Sequence, residues 1–97
     1  MSGEDEIIPL ESICTHYQVE HSFIETLESH GLISISYQEN QRYILRDEMA
    51  DLEKYSRMYY EMNINVPGID ALHHLLERIK QLQRESEELK ARLRIYE

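Results

Sequence analysis

The residues from Asn65 to Leu93 form the feature that most limits what this chain can fold into. The stretch reads NVPGIDALHHLLERIKQLQRESEELKARL, with Pro-Gly near its start and no helix breaker after it. Proline is favoured in the first turn of a helix, where its missing N–H removes no hydrogen bond. A helix over residues 67–97 would span about 45 Å at ~1.5 Å per residue. The rest of so short a chain cannot cover a helix of that length.

Apolar residues in this segment follow a heptad repeat. With Leu72 at position a, the a and d positions step by three and four residues without interruption. We interpret these positions as a dimer interface, so that residues 65–97 form a C-terminal dimerisation helix. Two alternatives remain open, a helix folded back on its own domain and a helix paired with a different protein. The eight positions, here called the seam, are Leu72, Leu75, Ile79, Leu82, Ser86, Leu89, Leu93 and Tyr96.

Charged residues beside the seam do not fix the direction of the helix pair. In a parallel pair, Glu85 would face Lys90 and Arg92 would face Glu97, and both contacts are attractive. Exposed ion pairs contribute only about 0.2–1 kcal/mol each, which is too little to decide the direction. Both a parallel and an antiparallel arrangement therefore remain open.

The first half of the chain predicts two short helices joined by a tight turn. Directly after Pro9, the segment LESICTHY has apolar residues at helical spacing, and EHSFIETLESHG has a second apolar helix face. Gln18 and Val19 form the predicted turn, and Gly31 is a natural left-handed end for the second helix. Together these elements predict a helix-turn-helix. The residues before it, 1–6, are interpreted as an acidic tail.

The apolar pattern changes after the second helix. Apolar and polar residues alternate in ISISY, as in a β-strand. Glu39-Asn40 can form a turn, and the next run, RYIL, favours a second strand, so these residues predict a small β-hairpin wing. Asp47 then precedes EMADLEKYSRMYYEM, whose apolar residues predict a third helix with Asp47 as its N-cap. Together with the long last helix, these elements resemble the MerR-type winged-helix domains. The fold prediction is mainly α, a MerR-like winged helix-turn-helix over residues 1–64 followed by a long C-terminal coiled-coil helix.

The charge distribution argues against DNA binding. The chain has a net charge of −9, and eight acidic residues but no Lys or Arg precede Arg42. A helix that reads duplex DNA needs Lys or Arg to neutralise phosphates. The second helix, Glu20 to His30, carries three glutamates and no such base, and the wing region supplies only Arg42 and Arg46. A MerR-like DNA-binding transcriptional regulator is kept as the alternative function.

Several motifs resemble the CbpM chaperone-modulator family. They are the Pro-Gly-Ile entry to the last helix in residues 66–69, the Glu61-Met62 pair before it and the leucine ladder after it. Near the start of the chain, Cys14, His16, Val19 and Gly31 are placed as in that family. The resemblance covers nearly the whole chain. One departure is Gln18, where such turns commonly have glycine.

The resemblance implies a non-enzymatic regulator that binds the J-domain of a CbpA/DnaJ-like co-chaperone and restrains its work with DnaK. J-domains of that family carry a basic second helix, which fits the acidic character of this chain. Tyrosines make good apolar anchors, and at least one of Tyr55, Tyr59 and Tyr60 in the third helix is expected to be exposed. A solvated acidic face is the alternative interpretation of each glutamate. The candidate partner-binding residues are Glu11, Glu20, Glu25, Glu28 and Tyr59.

No sequence pattern indicates catalysis, and we predict no enzyme, no cofactor and no metal site. Phosphate-binding glycine loops, Ser-His-Asp arrangements and a second cysteine beside Cys14 are missing from the sequence. His73 and His74 are interpreted as surface residues of the last helix. With one cysteine and no apolar stretch long enough for a signal peptide or membrane span, the expected location is the cytoplasm.

Overall fold

The computed structural model describes residues 6–96 and has the predicted fold. Its elements are β1 (Ile7–Pro9), α1 (Leu10–Tyr17), α2 (His21–Ser29), β2 (Ile35–Gln38), β3 (Gln41–Leu45), α3 (Met49–Ser56) and α4 (Val66–Tyr96). A 3-10 turn (Arg46–Glu48) precedes α3, and a π-helical turn (Arg57–Glu61) follows it. The mainly α prediction, with a winged helix-turn-helix and a long C-terminal helix, is confirmed. Apart from Glu6, the predicted acidic tail lies outside the described residues.

The wing contains one strand more than the predicted hairpin. β1, β3 and β2 form an antiparallel sheet in that order, and Ile44 in the central strand pairs with Ile8 on one side and Ile35 on the other. Pro9 is the last residue of β1 and immediately precedes α1. A proline is tolerated in an edge strand because the strand has a side that needs no N–H donor.

One core joins the helix-turn-helix, the sheet, α3 and the first turn of α4. Its buried side chains are almost all aliphatic, and burial of each contributes about 1.5–3 kcal/mol. The core residues are Leu10, Ile13, Cys14, Val19, Phe23, Ile24, Leu27, Leu32, Ile33, Ile35, Ile44, Leu52, Tyr55, Val66 and Ile69. Because Val66 and Ile69 belong to this core, α4 begins inside the domain and its later turns leave it.

The turn between α1 and α2 depends on Gln18 in a left-handed conformation. Gln18 has φ 55° and ψ 46°, and its N–H and that of Val19 both donate to the Cys14 carbonyl, Val19 at 3.2 Å. Gly31, with φ 74°, ends α2 in the same region of φ, as predicted. The departure from glycine at position 18 therefore leaves the turn geometry intact, at the steric cost that a Cβ has in this conformation.

Gln18→Gly is expected to raise the free energy of unfolding by about 1 kcal/mol, because glycine adopts left-handed angles without a Cβ clash. Urea unfolding followed by circular dichroism measures the change. Gln41→Gly provides the matched control, because it removes the same side chain from β3 and should lower stability. A Gln18→Gly chain that is no more stable than wild type would contradict the argument.

The third helix departs from its predicted pattern at both ends. The 3-10 turn contains Asp47, so α3 starts at Met49 without the expected Asp47 side-chain cap. The π-helical turn then shifts the side-chain phase after Ser56. Met62, the last residue of the predicted helical run EMADLEKYSRMYYEM, lies beyond the π-helical turn and is 63% exposed. Such one-turn π segments are frequent at functional sites.

The entry to α4 explains its Pro-Gly-Ile sequence. The Asn65 side-chain Oδ1 accepts a hydrogen bond from the Gly68 N–H at 2.9 Å and caps the helix. A Cβ on Gly68 would lie 2.9 Å from Ile64 Cγ2, so glycine is needed for this close approach. Pro67 occupies the first turn, where it breaks no hydrogen bond.

From His74 to Tyr96, every residue of α4 is exposed. The helix does not fold back on its own domain, so that alternative does not describe the single chain. Leu72 is half-buried at the edge of the domain, and the seam residues after it are exposed. Among the described residues, no helix has the length and hydropathy that crossing a membrane requires.

Candidate partner-binding surface

The four candidate glutamates do not form one face. Two of them lie around Arg42, whose Nη1 donates to Glu25 Oε2 at 2.7 Å. Glu11 lines a surface recess together with Arg42 and residues of the β2–β3 turn. The Arg42–Glu25 ion pair therefore joins the wing to α2, and the charge of Arg42 is already paired.

A third glutamate serves the fold in a different place. Glu28 Oε2 accepts a hydrogen bond from the Ile35 N–H at 3.3 Å, at the start of β2. This contact satisfies a backbone donor at the point where the chain leaves α2 for the sheet. Glu25 and Glu28 thus both contact other elements of the fold, whereas Glu20 Oε2 accepts a hydrogen bond from the hydroxyl of nearby Ser22 at 3.3 Å.

Glu20 lies beside an aromatic cluster in which two half-exposed tyrosines pack on a buried phenylalanine. Phe23, Tyr59 and Tyr60, here called the aromatic cluster, have ring centroids 4.5 Å apart for Phe23 and Tyr59, 5.3 Å for Phe23 and Tyr60 and 4.9 Å for Tyr59 and Tyr60. The Glu20 N–H donates to the Tyr60 hydroxyl at 3.0 Å. An acidic residue and two tyrosines therefore meet at the start of α2.

The three tyrosines of the third helical segment have different environments. Tyr55 is 1% exposed, while Tyr59 and Tyr60 are 36% and 40% exposed. The π-helical turn brings Tyr59 and Tyr60 together on the same side, against Phe23. At least one exposed residue was expected among these tyrosines, and the structure has two, the candidate Tyr59 and its neighbour Tyr60.

Two shallow grooves meet at Tyr59. One is lined by Tyr59, Tyr60, Asn63, Ile64 and Asn65. The other is lined by Ser22, Phe23, Thr26, Tyr59, Asn65, Val66 and Pro67. The first, here called the tyrosine groove, carries amide and phenol groups beside apolar surface, a composition suited to binding a polypeptide. Sequence spacing gave no indication of the asparagines, because their position depends on the turn between the π segment and α4.

A cluster of histidines surrounds Asp70 where α4 leaves the domain. His30 Nδ1, at the end of α2, lies 3.0 Å from Asp70 Oδ2, and a carboxylate can only accept, so His30 donates. His74 Nδ1 lies 2.8 Å from the Asp70 carbonyl oxygen and 3.0 Å from Oδ1. The carbonyl takes this hydrogen bond, and Oδ1 is close to His74 without being bonded. His73 Nδ1 lies 3.3 Å from the Tyr55 hydroxyl.

The hydrogen bond from His30 lowers the pKa of Asp70, burial opposes this effect, and the neighbouring histidines lower the pKa further. A carboxyl with a lowered folded-state pKa stabilises the fold above its unfolded pKa of about 3.9, and this stabilisation is lost as the pH falls through the folded value. The joint between α2 and α4 is therefore expected to weaken in acid.

Asp70→Asn is expected to lower the free energy of unfolding at pH 7, with the difference from wild type shrinking as the pH falls below about 4. Urea unfolding at pH 7, 5 and 3 measures this. Asp51→Asn is the matched control, because Asp51 has only a 3.8 Å contact with Lys54 and a more exposed side chain. A difference that is constant across pH would mean that the Asp70 charge does not stabilise the joint.

Cys14 has no reactive environment. It is buried, and this burial raises the pKa of its thiol. The thiolate, which is the reactive form, is thereby disfavoured. In residues 6–96, no group of three or more His, Cys, Asp or Glu side chains has the arrangement of metal ligands.

The domain and the exposed helix together match a family of regulators. Residues 8–91 match the family model described as MerR HTH family regulatory protein, which covers the helix-turn-helix, the wing, α3 and most of α4. Neither the curated proteins nor the solved structures include a significant match to the chain. Since the matched residues make up most of the sequence, the chain belongs to the MerR HTH family of regulatory proteins.

Proposed function

We propose that this protein is a non-enzymatic chaperone modulator of the CbpM type. It binds the J-domain of a CbpA/DnaJ-like co-chaperone in the cytoplasm and restrains the action of that co-chaperone with DnaK. The observation that carries the proposal is the position of Glu20 beside the half-exposed Tyr59 and Tyr60. An acidic residue next to two half-exposed tyrosines suits a basic helix, which is the J-domain element that the family resemblance implies.

The acidic charge of the domain supports a basic partner. Residues 6–65 contain eleven acidic and four basic side chains, a net charge of −7. Complementary charge mainly raises the association rate and disfavours wrong partners. In the proposal, Glu20 and Tyr59 contact the J-domain directly. Glu11, Glu25 and Glu28 attract it over a longer distance, because Glu25 and Glu28 contact the strands of the wing and Glu11 lies beside Arg42 of the wing.

The protein is also proposed to be a homodimer through the seam. The seam residues from Leu75 onward are exposed on a helix that has left its own domain. Exposed apolar residues at heptad spacing are stable in water when a second helix covers them. A second copy is available whenever the protein is present.

DNA binding is the second candidate function, and the family match favours it, since the fold is a helix-turn-helix with a wing. The electrostatics oppose it. α2 has no Lys or Arg, and Arg42 in the wing is bound to Glu25 at 2.7 Å. Phosphate contacts supply most non-specific affinity, and this domain offers few groups that make them.

Titration of the purified protein against the J-domain of a DnaJ-like protein from the same organism tests the proposal. A labelled random DNA duplex is titrated in parallel at about 150 mM salt, where screening resembles the cell. Saturable binding to the J-domain and inhibition of J-domain-stimulated DnaK ATPase are the expected results. Binding to duplex alone would replace the modulator with a transcription regulator.

Glu20→Lys is expected to weaken J-domain binding about tenfold at low salt and less at high salt, because the charge contribution is screened. Affinities at two salt concentrations measure the effect. Glu39→Lys is the matched control, because it makes the same charge change in the exposed β2–β3 turn. Equal losses in both variants would assign the effect to net charge and not to the surface beside Tyr60.

A further inference from the structure

The exposed face of α2 lacks the groups with which a helix binds DNA. In a helix-turn-helix the second helix lies in the major groove, so this face would meet a bound duplex. Glu25 lies at the centre of the face and is its only acidic residue, and no Lys or Arg accompanies it. A phosphate brought against α2 would therefore meet a carboxylate. The face consists of His21, Ser22, Glu25, Thr26 and Ser29.

The hydroxyl groups of this face already donate within the chain. Thr26 Oγ1 donates to the Ser22 carbonyl at 2.7 Å, and Ser29 Oγ donates to the Thr26 carbonyl at 2.8 Å. Ser22 Oγ donates to Glu20 Oε2 at 3.3 Å. A hydroxyl has one proton to donate, so these groups have none left for a phosphate oxygen. The strong donor that contacts the face comes from outside the helix, and it is Arg42 in the wing.

Glu25 binds Arg42 in the way that a phosphate would. Arg42 Nη1 donates to Glu25 Oε2 at 2.7 Å. The guanidinium fork fits carboxylates and phosphates alike, so the two anions compete for the same group. The side chain of Arg42 is 32% exposed and that of Glu25 is 53% exposed, and exposed ion pairs contribute little to stability. Breaking this pair should therefore leave the fold intact.

We propose that Glu25 is a specificity-determining residue that excludes nucleic acid, because it binds Arg42 in place of a phosphate. Without the charge of Glu25, Arg42 becomes available to phosphates, and the surface formed by α2 and the wing binds polyanions weakly. A group that opposes the wrong ligand contributes to specificity as much as contacts to the right one. The inference goes beyond the proposed function and does not rest on it, since it concerns a ligand that the domain rejects.

Glu28 separates the effect of this pair from the effect of total charge. Removing the charge of either Glu25 or Glu28 changes the net charge of the chain equally, from −9 to −8. Glu28 Oε2 accepts a hydrogen bond from the Ile35 N–H and not from an arginine. A glutamine at position 28 can still accept this hydrogen bond. Glu28→Gln is therefore the matched control for Glu25→Gln.

Glu25→Gln is expected to bind a labelled random DNA duplex at least about threefold more tightly than Glu28→Gln at about 20 mM salt. Each additional phosphate contact makes the dependence of log K on log salt steeper by about 0.9, so Glu25→Gln should also show the steeper salt dependence. Fluorescence anisotropy over a series of salt concentrations measures both quantities. Circular dichroism and urea unfolding establish that the variants are folded.

A chain with both Glu25→Gln and Arg42→Gln tests whether the gain comes from Arg42. It has the wild-type net charge and lacks the arginine, so its duplex binding should be as weak as that of wild type. A chain with Glu25→Gln and Arg42→Lys should keep part of the gain, because lysine also binds phosphate, although as a point charge.

Three results would overturn the proposal. The first is equal duplex affinity of Glu25→Gln and Glu28→Gln, including the case in which neither binds. The second is wild type binding as tightly as Glu25→Gln, and the third is a gain that persists when Arg42 is also replaced. None of these results depends on whether the protein binds a J-domain, so the proposed function is tested separately.

Discussion

A chain that carries both Leu82→Glu and Leu89→Glu is expected to be a monomer at micromolar concentration. Both leucines are exposed in the single chain at d positions of the seam, and a dimer would bury four of them. Burial of each contributes about 1.5–3 kcal/mol, and a buried unpaired carboxylate opposes association further. The dissociation constant should rise more than about a thousandfold, which corresponds to roughly 4 kcal/mol. Sedimentation velocity over a concentration series measures it.

The matched control adds the same two charges to other faces of the helix. Gln81→Glu and Ala91→Glu occupy c and f positions, and both residues are exposed. This variant should remain dimeric with the same circular dichroism spectrum as wild type. If the double leucine variant sediments as an unchanged dimer, α4 is not the interface, and the heptad pattern has another purpose.

Tyr59→Ala is expected to weaken J-domain binding by about 30-fold, because central aromatic anchors typically contribute 2 kcal/mol or more. Tyr59 stacks on Phe23 and lines both grooves, so its loss removes contact area from the middle of the proposed surface. Isothermal titration calorimetry with the J-domain measures the change. Tyr59→Phe should bind nearly as wild type, because it keeps the ring.

Tyr37→Ala separates this effect from general loss of a tyrosine. Tyr37 is 66% exposed in β2 of the wing, away from the aromatic cluster. Unchanged binding is expected for Tyr37→Ala, and urea unfolding should confirm that both alanine variants are folded. Weaker binding for Tyr37→Ala than for Tyr59→Ala would move the partner surface to the wing.

Local signals in the sequence predict much of the fold. The spacing of Leu10, Ile13 and Cys14 places α1 correctly, and Gly31 ends α2 as a left-handed residue. The heptad after Pro67 predicts an uninterrupted helix, and α4 runs from Val66 to Tyr96. These features depend on residues a few positions apart, so periodicity and turn chemistry suffice to find them.

The remaining features depend on contacts between distant residues. β1 has only three residues, which is too few for a periodic signal in the sequence. It is recognisable from its pairing with β3, in which Ile8 pairs with Ile44, 36 positions later. The Arg42–Glu25 pair and the cluster of Phe23 with Tyr59 likewise join separate elements. The π-helical turn changes side-chain phase without a glycine or proline to mark it. The candidate glutamates therefore could not be sorted by sequence into paired and exposed ones.

The first turn of α4 is held in the core by Val66 and Ile69, and the same helix continues without interruption to its far end. The orientation of the whole helix is therefore set by the packing of these two residues. A rotation of about 10° at the first turn of α4 would displace the end of a helix about 45 Å long by roughly 8 Å. The hydrogen bond from His30 to Asp70 attaches the start of α4 to the end of α2. A small change in side-chain packing around Val66 and Ile69 would therefore move Tyr96 much further than it moves the domain.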